Sequence, residues 1–193
     1  DIAPVTYNGS EQKQAPVVKA GETVLTEGTD YEVSYSDDTI NAGEVTVTIT
    51  GKGNYAGTET KTYNIAKRDV TLTSEGGSKV YDGTALTKPD VTITGDGFVE
   101  GEVSEVKATG SVTTVAQGEV TNTIVYTAGE KFNANNYNIT LSEGKLSITP
   151  ATLTIVTESD SKEYDGEPLT ADGSISGFVT PTGGTQETAT FKV

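Results

Sequence analysis

The chain of 193 residues carries 28 acidic and 13 basic side chains, for a formal charge of −15, and contains no Cys, His, Met or Trp. Without Cys or His there is no disulfide framework, no thiol or His-assisted nucleophile and no ordinary zinc site. The acidic balance opposes nucleic acid and anionic membrane surfaces, where Lys and Arg supply the affinity, and Arg68 is the sole arginine.

Hydrophobic content is 33%, low enough to raise disorder as an alternative. The apolar residues are nevertheless ordered in alternation, as half-buried strands require. In chain order, Tyr7-Asn8-Gly9 reads as a tight turn, because Asn or Asp before Gly tolerates positive φ. Tyr31, Val33 and Tyr35 share one strand face, as do Val45, Val47 and Ile49, with Thr on the other side. Val70 with Leu72 marks a further strand, and Tyr81-Asp82-Gly83 a second turn. One helical turn fits near Phe98 to Val103. Tyr137, Ile139 and Leu141, then Leu146 and Ile148 beyond Ser142-Glu143-Gly144-Lys145, predict a hairpin. Leu153 with Ile155 opens a last strand, and Tyr164-Asp165-Gly166 is a third turn whose Tyr packs, like the other two, at a core edge with its hydroxyl in water. Helix should make up less than about a tenth of the chain, against a usual third.

The chain repeats itself. Besides the three Tyr-Asx-Gly turns, Gly53-Asn54-Tyr55 matches Asn135-Asn136-Tyr137, and Gly97-Phe98-Val99 matches Gly177-Phe178-Val179. Tyr63 to Leu72 aligns without a gap on Leu146 to Ile155. These landmarks cut the chain into repeats 1–67, 68–150 and 151–193, the third apparently incomplete. Only four residues separate the last apolar side chain of one repeat from the first of the next; Gly is absent there and Pro150 fixes one φ angle. Short Gly-free junctions predict a semi-rigid row of domains rather than flexible linkage.

The sequence resembles the glycine-rich, mostly-β MBG and YDG-type repeats of bacterial surface proteins. In the second repeat the resemblance is carried by Lys79-Val80-Tyr81-Asp82-Gly83-Thr84, Gly97-Phe98-Val99-Glu100-Gly101-Glu102, Asn136-Tyr137 and Ile148-Thr149-Pro150-Ala151. The first repeat is similar to a related Ig-like repeat, through Asp30 to Tyr35, Ala42-Gly43, Val45 to Gly51 and Gly53 to Gly57, and lacks a strand ahead of its Tyr7 turn. The resemblance implies an all-β chain of small tandem Ig-like β-sandwich-type repeats arranged end to end, with β-grasp-like repeats as the alternative. It also implies an extracellular place, cell-surface attached or secreted.

Chemistry is sparse. The 28 Asp and Glu residues read as a solvated surface rather than as paired catalytic carboxylates, so no enzyme, catalytic residue, cofactor or metal site is expected. Weak surface calcium is the nearest exception, at the loop carboxylates Asp37-Asp38 or Ser159-Asp160. Lys79 and Lys162 recur two residues before a Tyr and are the candidates for a Lys–Asn or Lys–Asp isopeptide crosslink, but no specific Asn partner emerges. The sequons at Asn8 and Asn138 read as coincidence in a bacterial protein.

The expected role is a non-catalytic stalk or spacer. The alternatives are an adhesin module that binds host protein or glycan, or an accessory region of a large secreted enzyme. Expected partners are neighbouring domains of the parent protein, with a monomeric state, no nucleic acid and no membrane insertion within this fragment, since no apolar run approaches ~18 residues.

Overall fold

The computed structural model describes residues 2–181 and 183–189. These residues are all-β: they form several small sheets and no α-helix, only two 3-10 turns, at Val115–Gln117 and Ala134–Asn136. Phe191 and Val193, where an incomplete third repeat would leave an apolar edge, lie outside the described residues.

The chain divides into two compact units. The first combines Asp1–Leu72, Thr92–Val106 and Tyr126–Leu141; the second combines Thr73–Val91, Lys107–Val125 and Ser142–Val193.

In the first unit, Gly43–Gly51 pairs antiparallel with both Tyr31–Tyr35 and Thr58–Ala66. Alternation works as expected: Val45, Val47, Tyr63 and Ile65 are buried together with Tyr31. The short strand Val5–Thr6 adds to the far edge in parallel, Val5 opposite Ile65. A strand therefore does precede the Tyr7 turn, contrary to the expectation that the first repeat lacks it. It is two residues long, too short for an alternation signal. A three-stranded sheet orders Val91–Gly95, Arg68–Ser74 and Tyr137–Ser142 with Arg68–Ser74 in the centre. Only Lys67 separates this central strand from Thr58–Ala66.

The second unit is centred on Lys145–Thr149, which pairs antiparallel with Val120–Thr121 and in parallel with Gly77–Val80. Leu146, Ile148 and Val112 form its core, with Tyr81, Leu86 and Val120 packed around them. Full burial of a Leu or Ile contributes ~1.5–3 kcal/mol, so a core this small gives modest stability. Asn122 is buried beside it and fully bonded: it accepts from Gly110 N–H and donates to the carbonyls of Glu75 and Lys88.

The predicted hairpin of Tyr137–Ser142 with Lys145–Thr149 does not form. Each strand belongs to a different sheet. The intervening residues are held by other segments: Glu143 accepts from Ile124 N–H, Gly144 N–H donates to Ser74 Oγ, and Gly144 O accepts from Asn122 N–H. Gly144 also lies against the Glu75–Gly76 backbone with no room for a Cβ. These bonds carry the chain across from one sheet to the next instead of reversing it.

Among the described residues Thr154–Thr157 pairs only with Gly173–Ser176, and Leu153, Ile155, Val156 and Leu169 are exposed there. Their aligned counterparts Val70 and Leu72 are fully buried.

Candidate functional site

The three Tyr-Asx-Gly turns fold alike. Each Asx side chain accepts the backbone N–H two residues on: Asn8 from Ser10, Asp82 from Thr84 and Asp165 from Glu167. The following Gly9, Gly83 and Gly166 have φ of 79, 76 and 84°, which an L side chain rarely adopts. Two of the turns are launched in the same way. Tyr7 N–H donates to Ala66 O, and Tyr81 N–H to Thr149 O, each at the end of a parallel strand pair.

The lysines of these motifs have a local use. Lys79 pairs with Asp82 at 2.8 Å and Lys162 with Asp165 at 2.9 Å. The Lys79 ammonium, followed by the Thr84 backbone and hydroxyl, holds the Asp82 carboxyl down to about 2. In the first turn the lysine position is Val5 and the acid is the neutral Asn8, so the charge pair is present or absent as a pair.

The tyrosine of the first turn is not wet. Tyr7 is 3% exposed, and its hydroxyl donates to Glu102 Oε1 at 2.6 Å. The Tyr137 hydroxyl donates to Glu102 Oε2 at 2.8 Å and accepts from Val99 N–H. Glu102 is itself 3% exposed, so one buried carboxylate ties together three distant stretches of the first unit. Burial pushes the Tyr137 phenol up to about 12, aided by its bond to Glu102 and opposed by the Val99 amide. Burial likewise raises Tyr7, with the Glu102 carboxylate second. An aromatic cluster closes over these groups: Tyr7 meets Tyr137 edge-on, and Tyr137 stacks with Phe132 while Phe98 and Tyr126 complete the wall.

Two further latches act in the same unit. Arg68 donates to the carbonyls of Gly97, Tyr7 and Asp96, so the lone guanidinium serves backbone rather than a ligand. Asn136 is completely buried; it accepts from Ala42 N–H and donates to Asn41 Oδ1, both at 2.8 Å. The loop that receives it is shaped by Asp38, whose carboxylate accepts from Ile40 N–H, Asn41 N–H and the Asn41 side-chain amide. Those bonds, the Asn41 amide first, hold the Asp38 carboxyl below its usual range. Asp38, a calcium candidate in the sequence, thus spends its oxygens on its own loop. No group of three or more metal-ligating side chains occurs among the described residues.

The second unit contains a version of the Tyr–Glu contact. The Tyr81 hydroxyl donates to Glu187 at 2.9 Å, which together with partial burial raises the phenol. A Cβ on Gly83 would lie 2.7 Å from Pro181, just as one on Gly9 would lie 2.9 Å from Val99. Once this contact is known, a further alignment becomes visible: Glu187-Thr-Ala-Thr-Phe-Lys-Val193 on Glu102-Val-Ser-Glu-Val-Lys-Ala108. Glu102 and Glu187 therefore occupy the same place in sequence and receive the same hydroxyl. The second contact is more open. Glu187 is exposed, Ala151 stands where the first has Arg68, and a groove of about 390 Å³ runs past Tyr81, Phe178, Val179 and Leu153.

The remaining landmarks fare unequally. Gly95 and Gly177, at φ 85 and 95°, each back onto the carbonyl of a neighbouring segment, Asp69 and Thr152. They are the structural counterparts, so Asp96-Gly97 is a two-residue insertion ahead of Phe98. Gly53-Asn54-Tyr55 is an exposed turn, whereas Asn136-Tyr137 is buried; the two matched in sequence but not in place.

Glu102 and Glu187 were missed in the sequence because 28 carboxylates offer no contrast; the Glu-x-x-x-[Val/Phe]-Lys recurrence was the available signal. Comparison with family models, with curated proteins and with solved structures finds no match to this chain.

Proposed function

We propose that the chain is a non-catalytic structural spacer: tandem β repeats of a bacterial cell-surface or secreted protein, of the MBG and YDG-type kind. The observation that carries this reading is the recurrence of one contact, Tyr7 on Glu102 and Tyr81 on Glu187, each from a Tyr-Asx-Gly turn to a glutamate in the following repeat. A spacer needs each module fixed to the next, and on the repeat boundaries read from the sequence each of these contacts would join one repeat to the following one. The Arg68 and Asn136 latches strengthen the first of them.

Tandem Ig-like β-sandwich-type repeats are the finer fold we favour. The sheet order in the first unit puts the strand before the turn in parallel beside the last strand, followed by two antiparallel neighbours, which resembles the CFG side of an Ig-like domain.

Two experiments test the role. Small-angle scattering of the purified chain should give an elongated particle; a compact one would remove the spacer reading. A panel of matrix proteins, mucins and glycans should give no saturable binding to the monomeric chain, whereas saturable binding would replace the spacer with an adhesin module.

A further inference from the structure

The third Tyr-Asx-Gly turn repeats the Asx bond and the glycine conformation of the other two, but among the described residues it follows no parallel strand pair and its tyrosine has no acceptor. Asp165 caps Glu167 N–H, Lys162 pairs with Asp165, and Gly166 has the required φ of 84°. Its Tyr164, however, is 97% exposed, while Tyr7 is 3% exposed on Glu102 and Tyr81 is half-buried on Glu187. The same turn is thus seen twice with its occupant and once without.

The two occupied cases define what the third would take. In each, an apolar side chain lies against the turn glycine, Val99 at Gly9 and Pro181 at Gly83, and a glutamate accepts the tyrosine hydroxyl. We propose that the Lys162–Gly166 turn is a docking plug for one more module of the same kind, presenting an apolar rim and a glutamate that accepts the Tyr164 hydroxyl. A second copy of this chain is not the occupant, because both of its acceptors, Glu102 and Glu187, are already filled from within. This inference rests on the repeat reading above.

The alignment of Glu187–Val193 on Glu102–Ala108 supplies the probe. Appending residues 109–193 after Val193 continues the third repeat with the remainder of the second and then places a fresh acceptor, the appended copy of Glu187, downstream of Tyr164. The appended copy carries Tyr164→Phe, so only the original Tyr164 reports. Nitration by tetranitromethane, mapped by mass spectrometry, reads phenol access. In the 193-residue chain Tyr164 should react faster than Tyr81. In the extended chain its rate should fall to that of Tyr81, and Glu187→Ala in the appended copy should restore it.

If the appended residues gain hydrogen-exchange protection while Tyr164 keeps its full reactivity, docking is overturned and the repeat reading survives. If the appended residues gain no protection, the repeat equivalence fails and docking with it. Protection of Tyr164 that persists with Glu187→Ala would also overturn the proposal, since the glutamate would not be the acceptor.

Discussion

Glu102 is a carboxylate with almost no water, and each of its oxygens accepts a tyrosine hydroxyl. Replacing it with Ala would strand two buried donors, and each stranded group costs ~1–3 kcal/mol. Glu102→Ala should therefore lower urea stability by about 2–4 kcal/mol; a loss below about 0.5 kcal/mol would show that the hydroxyls find water. The same site sets an alkaline limit. Both Tyr7 and Tyr137 are raised in the folded state, so the native chain holds these protons more tightly than the unfolded one. That stabilisation is complete below the ordinary tyrosine value of 10.0; the Tyr137 part is lost as pH rises through about 12, and the Tyr7 part likewise fades above 10.0. Stability followed by denaturant melts should be flat up to about pH 10 and then fall, and Tyr137→Phe should flatten that fall. Asp82 behaves oppositely. Its depressed carboxyl supports the turn above the usual 3.8, and the support fades as pH falls through about 2. The pair is exposed, so the effect belongs in an NMR titration of the Thr84 amide rather than in global stability. A midpoint near 4 would mean that Lys79 is not its partner in solution. Asp82→Asn should keep the turn, as Asn8 does, and abolish the titration.

Among the elements, the crossing at Gly144 is the least tolerant point. Its Cα faces the Glu75–Gly76 backbone too closely for a methyl group, so Gly144→Ala should cost about 3 kcal/mol by forcing the two strands apart. Thermal melts of the single variant check this, and a neutral result would show that the crossing is looser than the packing implies. Hydrogen exchange should rank the strands. Gly43–Gly51 and Lys145–Thr149, paired on both sides, should exchange slowest; Thr154–Thr157, paired on one side with its apolar residues exposed, should exchange fast, as should the described residues after 157. Uniform protection across the chain would contradict this order. The elements also show what alternation can convey. Strands over Tyr31–Tyr35 and Val45–Ile49 were legible because one face is buried and the other wet, which imposes a period of two. The turns were legible because positive φ at Gly9, Gly83 and Gly166 restricts the residue type. Pairing was not legible. Tyr137–Ser142 and Lys145–Thr149 look like a hairpin because the turn chemistry of Ser142 to Lys145 is permissive, and what separates them is contact with Ser74, Asn122 and Ile124, distant in sequence. The site suffered in the same way: tyrosine hydroxyls were expected in water, and only a partner 95 positions away, Glu102, takes the first of them inside.

At the scale of the whole molecule, a charge of −15 on 193 residues provides a test of stiffness. On the proposed spacer reading, like charges on neighbouring repeats repel, and the repulsion reaches ~30 Å in 0.01 M salt but only ~3 Å in 1 M. A chain whose junctions flex would swell as salt is removed. A chain held by buried hydrogen bonds would not, because the direct bonds on Glu102, at 2.6 and 2.8 Å, resist a screened surface force. The radius of gyration from small-angle scattering should therefore be nearly constant from low to high salt. Tyr7→Phe and Arg68→Ala together remove the phenol donor and the guanidinium that grips the Gly97, Tyr7 and Asp96 carbonyls, and so would release the first of the proposed junctions. That variant should gain a salt-dependent radius while keeping its core strands, which far-ultraviolet circular dichroism would verify. The contrast with the second junction sharpens the expectation. There Glu187 is exposed and Ala151 replaces the arginine, so any residual salt dependence in the parent chain should arise at Tyr81, and Glu187→Ala should increase it while Glu102→Ala adds a separate increment. A parent chain that swells strongly at low salt would mean that these contacts open freely in solution, and a spacer built on them could not hold its length.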